Sequence, residues 1–168
     1  MIDHILEPYQ AQLGRDFQAY LNHAKRVYEY SCMLMLHRES KKLAIAAAFH
    51  DLDIWVGESM NYLPGSAALA RKYIESNQLD LLADEVAFVI DRHHQLTPIK
   101  GNIEAEAFRK ADLMDLSVGW VRFNIPKSII IDAQRRFPRL GFTGLVTKKT
   151  MSYAVRHPLS PFPMMRIS

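Results

Sequence analysis

The sequence predicts an all-α fold, a compact helical bundle in one domain, and three observations predict it. Apolar residues recur at steps of three and four along most of the chain. Strand-like alternation is almost absent. Glycine and proline gather between the helical stretches, at Gly57, Pro64, Gly65, Pro98, Pro126 and Gly141.

Residues 15–37 place Tyr20, Ala24, Val27, Ser31 and Leu34 on one face. His23 lies beside that face, with Arg26 three residues later and pointing the same way. A second helix covers residues 40–51, with Ser40 as its N-cap. Gly57, Pro64 and Gly65 then mark a loop over residues 52–65, in which Trp55, Met60 and Tyr62 form either a mobile lid or a set of core anchors. Ser66 caps a third helix that runs to Asn77. The fourth covers residues 80–95, with Leu82, Val86, Val89 and Ile90 apolar, and carries His93 and His94 at its end. After a short turn, residues 103–120 form a fifth helix with Ala107, Ala111, Met114 and Val118 as its inner stripe. Pro126 suits the first position of a helix that ends near Phe137 and Pro138. Gly141 and Gly144 precede one more helical stretch, and the proline-rich tail from His157 to Pro163 reads as extended.

At 168 residues the chain is long enough to bury a real core, and no repeat or linker divides it. The domain is expected to span residues 1–168, with a motif-bearing core over about 15–120. Composition is ordinary for a globular protein, at 49% hydrophobic and 23% charged residues. The net charge of +3 comes without a long Lys/Arg run, so nucleic acid is not an expected partner and a small anionic substrate is. No stretch reaches the ~18 apolar residues of a membrane helix. The N-terminus lacks a signal-peptide pattern, and Cys32 is the single cysteine, so the expectation is a cytoplasmic protein with a buried, inert thiol. Phe142, Tyr153, Phe162, Met164 and Met165 look exposed, which suggests a homodimer surface.

The most informative residues are His50 and Asp51, an imidazole and a carboxylate at the end of the alanine-rich run Leu43-Ala44-Ile45-Ala46-Ala47-Ala48-Phe49. Burying such groups costs several kcal/mol unless they are paired or bound to a metal. With His23 upstream and Asp112 downstream they form a mixed nitrogen–oxygen set. Such a set suits one divalent transition ion, Mn²⁺, Fe²⁺, Co²⁺, Ni²⁺ or Zn²⁺, with positions left open for water or substrate. His4, His37 and His157 read as ordinary surface or core histidines, and Asp115 as an ion-paired or helix-surface residue.

These stretches resemble the HD-domain superfamily of metal-dependent hydrolases. The resemblance rests on Tyr20-Leu21-Asn22-His23-Ala24-Lys25-Arg26-Val27, Ala46-Ala47-Ala48-Phe49-His50-Asp51-Leu52 and Phe108-Arg109-Lys110-Ala111-Asp112-Leu113. It spans roughly residues 20 to 118 and looks most like small stand-alone bacterial members. It implies His23, His50, Asp51 and Asp112 as metal ligands within a helical bundle. Two-metal members add a histidine soon after the HD pair, and this chain has none between residues 52 and 92. One ion is therefore expected, with one of His93 and His94 facing the site and contacting substrate.

The resemblance implies a phosphohydrolase acting on a small phosphate ester or nucleotide by attack of a metal-bound hydroxide. Asp51 would orient or deprotonate the water, and His93 or His94 would assist the leaving group. Asp53 is either a further proton donor or a solvated loop carboxylate. Arg26 and Arg109, each three residues from a ligand, would clamp a phosphate or else pair with nearby carboxylates. Two alternatives stand beside this: a hydratase- or lyase-type enzyme on a small nitrile-like substrate, and a non-catalytic nucleotide-binding module. An apolar pocket without arginine would favour the first, and a closed coordination sphere the second.

Overall fold

The computed structural model describes residues 1–166. Ten α-helices follow one another, with no strand among the described residues: α1 (Ile2–Leu6), α2 (Gln10–Leu13), α3 (Phe17–Leu34), α4 (Lys41–Phe49), α5 (Asp53–Val56), α6 (Leu63–Ser76), α7 (Ala83–Arg92), α8 (Ile103–Leu116), α9 (Lys127–Arg136) and α10 (Phe142–Arg156). The expected all-α class is what the chain adopts. No helix among the described residues is long and apolar enough to cross a membrane.

The bundle is organised around α4. From Leu43 to Phe49 all of its residues are fully buried, which explains why it shows no amphipathic stripe. Its four alanines let neighbouring helices approach closely, and it packs against α3, α7, α1 and α6. Ser40 caps it as expected, its hydroxyl oxygen accepting from the Leu43 amide at 3.3 Å. The longest helix, α3, lies most extensively along α8, and that pair together with the C-terminus of α4 forms the cradle for the polar cluster.

Several boundaries differ from the sequence pattern for identifiable reasons. The N-terminal 16 residues, which carry no clear periodicity, fold into short helical turns that bury Ile2, Ile5, Leu6 and Leu13. Pro64 and Gly65 lie inside the first turn of α6, where proline lacks no needed hydrogen bond, so the helix begins before Ser66. The Ser66 hydroxyl instead accepts from the Asp53 amide at 3.2 Å. The stretch 80–95 divides into a 3₁₀ turn at Asp80–Leu82 and α7, which stops at Arg92. Helix α8 stops at Leu116 because Val118 and Gly119 both take positive φ.

The loop over residues 52–65 is a set of core anchors, with Trp55, Met60 and Tyr62 all buried. The apolar C-terminal residues do not form one exposed face: Phe142 is fully buried and Met164 nearly so, although Phe162 and Met165 remain exposed. The tail bends back by turns instead of running extended. It meets the end of α7, where the Leu96 amide donates to the Arg166 carbonyl at 2.9 Å and the Arg166 guanidinium pairs with Asp91 at 3.0 Å.

Candidate metal centre

The cradle is set by where helices end. His23 sits in the middle of α3, Asp112 in the middle of α8, and His50 and Asp51 in the tight turn that closes α4. All four are at most 2% exposed. His23 Nε2 lies 3.0 Å from His50 Nε2, 3.6 Å from Asp51 Oδ2 and 3.6 Å from Asp112 Oδ1. His50 Nε2 lies 3.5 Å from Asp51 Oδ2 and 3.7 Å from Asp112 Oδ1. Donors about 2.1 Å from one ion would sit roughly 3.0 to 3.4 Å apart at right or tetrahedral angles. His23, His50 and Asp112 nearly reproduce that spacing among themselves, and Asp51 Oδ2 does so toward the two imidazoles.

The hydrogen bonds behind the imidazoles decide which nitrogen faces inward. His50 Nδ1 is 2.9 Å from the Ala47 carbonyl, and His93 Nδ1 is 2.7 Å from the Ile90 carbonyl. Only an N–H can donate to a carbonyl, so Nδ1 carries the proton in both rings and a neutral ring leaves Nε2 bare. His23 Nδ1 is held in the same way by Asp115 Oδ2 at 2.7 Å. Bare nitrogens therefore aim at one another and at carboxylate oxygens, an arrangement that repels itself unless a cation or protons lie between them. Asp51 Oδ1, His93 Nε2 and both Asp112 oxygens are among the buried atoms with no hydrogen-bond partner. Such orphans are costly, and this donor set fits a divalent transition ion. The buried His/Asp groups could hold a metal ion in three overlapping sets: His23, His50 and Asp112; His50, Asp51 and His93; and His93, His94 and Asp112.

The charge balance is held from behind by Asp115, a residue whose importance the sequence pattern did not reveal. It is fully buried, and its two oxygens accept from Arg26 Nε at 2.7 Å, Arg26 Nη2 at 2.9 Å, Arg139 Nη1 at 3.0 Å and His23 Nδ1. Burial alone would raise its pKa, but the hydrogen bonds from Arg26 and His23 hold it well below the ordinary carboxylate range. For His23 burial works to lower the pKa, and the bonds to Asp115 and Asp51 reverse it, so the ring titrates above its usual value. Burial likewise opposes ionisation of Asp51 and Asp112, and the surrounding histidines overturn it, keeping both carboxyls below their usual pKa.

Three residues had two readings each, and for the two arginines the pairing with carboxylates is the one that forms. Arg26 is fully buried and commits its guanidinium to Asp115 and the Phe137 carbonyl, so it positions the cluster and has no path to substrate. Arg109 clamps Glu106 with two 2.8 Å bonds, which leaves its charge already neutralised beside Asp112. Asp53 belongs to none of the metal-capable groups. Its carboxylate packs against Gly57 and Gly65, where a Cβ on Gly65 would fall 1.9 Å from an oxygen, so the loop closes around it only because those residues are glycine.

His93 and His94 both face the cluster, where helical spacing allowed only one. Helix α7 ends at Arg92, so the 100° step between neighbours no longer applies, and the two rings lie 4.0 Å apart. His93 Nε2 is 3.4 Å from Asp51 Oδ1, and His94 Nδ1 is 3.6 Å from Asp112 Oδ2. The far side of His94 meets the Tyr62 hydroxyl at 2.7 Å. Burial, with the charge of His93, pushes the His94 pKa down to about 4, while burial raises that of Tyr62 well above 10. Both groups are therefore neutral near pH 7.

Phe142 is the other residue that sequence reasoning misplaced. Its ring stacks on His23 with centroids 4.0 Å apart, sealing the imidazole from that side. Tyr20 stacks on His50 and donates to the Ala48 carbonyl at 2.9 Å. The opposite side is open: a cavity of about 350 Å³ reaches Asp51 and His94 and is walled by Met60, Tyr62, α8, α10 and the tail. No protein-family model, curated protein or solved structure matches this chain, so the geometry of the cluster carries the functional argument.

Proposed function

We propose that this protein is a metal-dependent hydrolase of the HD-domain type, acting on a small phosphate ester. One observation carries the reading: His23, His50 and Asp112 offer buried donor atoms 3.0 to 3.7 Å apart, Asp51 Oδ2 lies 3.5 to 3.6 Å from both imidazole nitrogens, and the tautomers are fixed from behind. A divalent ion held there would activate water near neutral pH and polarise a phosphoryl oxygen. His23, His50, Asp51 and Asp112 are the ligands in this reading. Asp51, through its unpartnered Oδ1, orients the attacking water and takes its proton. His94, neutral, would steady the leaving oxygen with an Nδ1–H hydrogen bond, the Tyr62 hydroxyl donating to Nε2 behind it, and the leaving oxygen would take its proton from solvent. His93 would hold a phosphoryl oxygen from the adjacent position through Nε2 once that nitrogen also carries a proton.

The open side of the cluster argues against a purely structural ion, because the cavity meets Asp51 directly. A second reading has a specific observation behind it. Neither lysine nor arginine lines that cavity, and this favours a small non-phosphate substrate such as a nitrile. The deciding experiment is metal analysis of the purified protein. It is followed by assays of phosphate esters, nucleotides and nitriles with Mn²⁺, Co²⁺ or Ni²⁺. Bound metal with phosphatase turnover is expected, and His94→Gln should keep the metal while lowering kcat about a hundredfold. No bound ion after reconstitution, or turnover of nitriles alone, would overturn the phosphatase reading.

A further inference from the structure

The cavity that opens from Asp51 and His94 is unlike a nucleotide site. Its volume of about 350 Å³ is at the small end of the range for small-molecule pockets, about 300 to 1,000 Å³. Besides the Tyr62 hydroxyl, already bonded to His94, its ionisable lining is Asp51 and His94, both members of the cluster at its inner end. Beyond them the walls are Leu113 and Leu116 of α8, Val146 and Met151 of α10, and Met164 of the tail. The polar groups on α10 are threonine hydroxyls, and that of Thr143 already accepts from Arg139 at 2.5 Å. Nothing here pairs the phosphates of a nucleoside polyphosphate, which need cations in fixed geometry. The tail wall is fastened beside His94 by the bond from Leu96 to Arg166 and by the Arg166–Asp91 ion pair, so the apolar enclosure is part of the folded structure.

We infer that the substrate is a phosphomonoester with a compact apolar body, an alkyl or aryl group, that lies between α8, α10 and the tail while its phosphoryl group meets the cluster. This deepens the hydrolase reading and rests on it for the head group alone; α10 and the tail become the elements that set specificity. Each buried methylene contributes roughly 0.8 kcal/mol, a factor of about four in affinity.

The test uses the full-length protein loaded with Mn²⁺ and a series of n-alkylphosphonates from methyl to decyl, with calorimetric Kd values. The expected result is a Kd that falls about fourfold per carbon and then levels off when the cavity is full. Nucleoside monophosphates should bind no tighter than methylphosphonate. Val146→Trp, placed in the wall, should flatten the chain-length slope, and the wild-type series decides the matter even if that variant fails to fold. A Kd independent of chain length, or nucleotides binding more tightly than the longer alkylphosphonates, would overturn the inference. Parallel hydrolysis of the matching alkyl phosphates separates the two claims. Turnover without a slope defeats the apolar-body assignment alone, and a slope without turnover supports that assignment while defeating the hydrolase.

Discussion

On the α3–α8 flank of the cluster, both oxygens of Asp115 are filled by two arginines and His23; on the flank at the end of α7, Asp51, Asp112 and His93 confront one another with four atoms unpartnered. The two flanks are only a few ångströms apart and share α8, where Asp112 and Asp115 stand three residues from each other. They differ in what completes them. Protein groups complete the first, so it serves stability and fixes the orientation of His23. The second leaves buried donor atoms unpartnered, and there a bound ion would gain most.

The contrast is sharpest if each flank is broken separately. Asp51→Asn should abolish metal binding and the thermal shift that metal produces, about 2.7 kcal/mol at a hundredfold excess over Kd. It should change the stability of the metal-free protein by about 1 kcal/mol or less, because the histidine nitrogens that face the carboxylate stand 3.4 to 3.6 Å away. Equal losses in both states, read from urea melts with and without Mn²⁺, would erase the distinction between the flanks.

Asp115→Asn should do the reverse, costing about 3 to 5 kcal/mol of metal-free stability by leaving Arg26 without its counter-charge. Metal affinity should fall only about 10- to 100-fold, since His23 keeps its place but loses the bond that sets its tautomer. The pH dependence follows from the depressed pKa of Asp115. Its stabilisation is complete above the unfolded value, about 4, and is lost as pH falls toward the folded one. The variant should therefore show a flatter loss of stability in acid than the wild type.

The smallest effect tests the shared helix. The Asn102 side chain caps α8, its oxygen accepting from the Ala105 amide at 3.0 Å. Asn102→Ala should cost about 1 kcal/mol of stability and leave metal affinity unchanged. A selective loss of metal would mean that α8 does not support the two flanks equally.

The second flank was far more legible from sequence than the first. His23, His50, Asp51 and Asp112 announce themselves because polar groups on apolar stripes are expensive; the structure groups the donor atoms of His23, His50 and Asp112, and sets Asp51 beside His50 and His93. Helical periodicity likewise located α3, α4 and α8 to within a few residues. Asp115 was legible as ion-paired, and it pairs with Arg26, but its hold on His23 and its second partner Arg139, 24 residues away in a connection without periodic signal, were not. Phe142 looked exposed for the same reason: its partner is a ring on α3, more than a hundred residues earlier. Arg26 and Arg109 were correctly aligned with the ligand faces, but alignment along a helix does not say which carboxylate captures a guanidinium. His93 and His94 defied the rule of alternating faces because that rule lapses where a helix ends.

The stacking of Phe142 on His23 has a consequence in time as well as in space. Synthesis proceeds from the N-terminus, so His23, His50, Asp51 and Asp112 all emerge before Arg139, Phe142 and the tail that cover them. The nascent chain thus presents the donors to its surroundings first and acquires their cover last. The phenyl ring that shuts the imidazole of His23 from one side is added to the chain after every one of those donors.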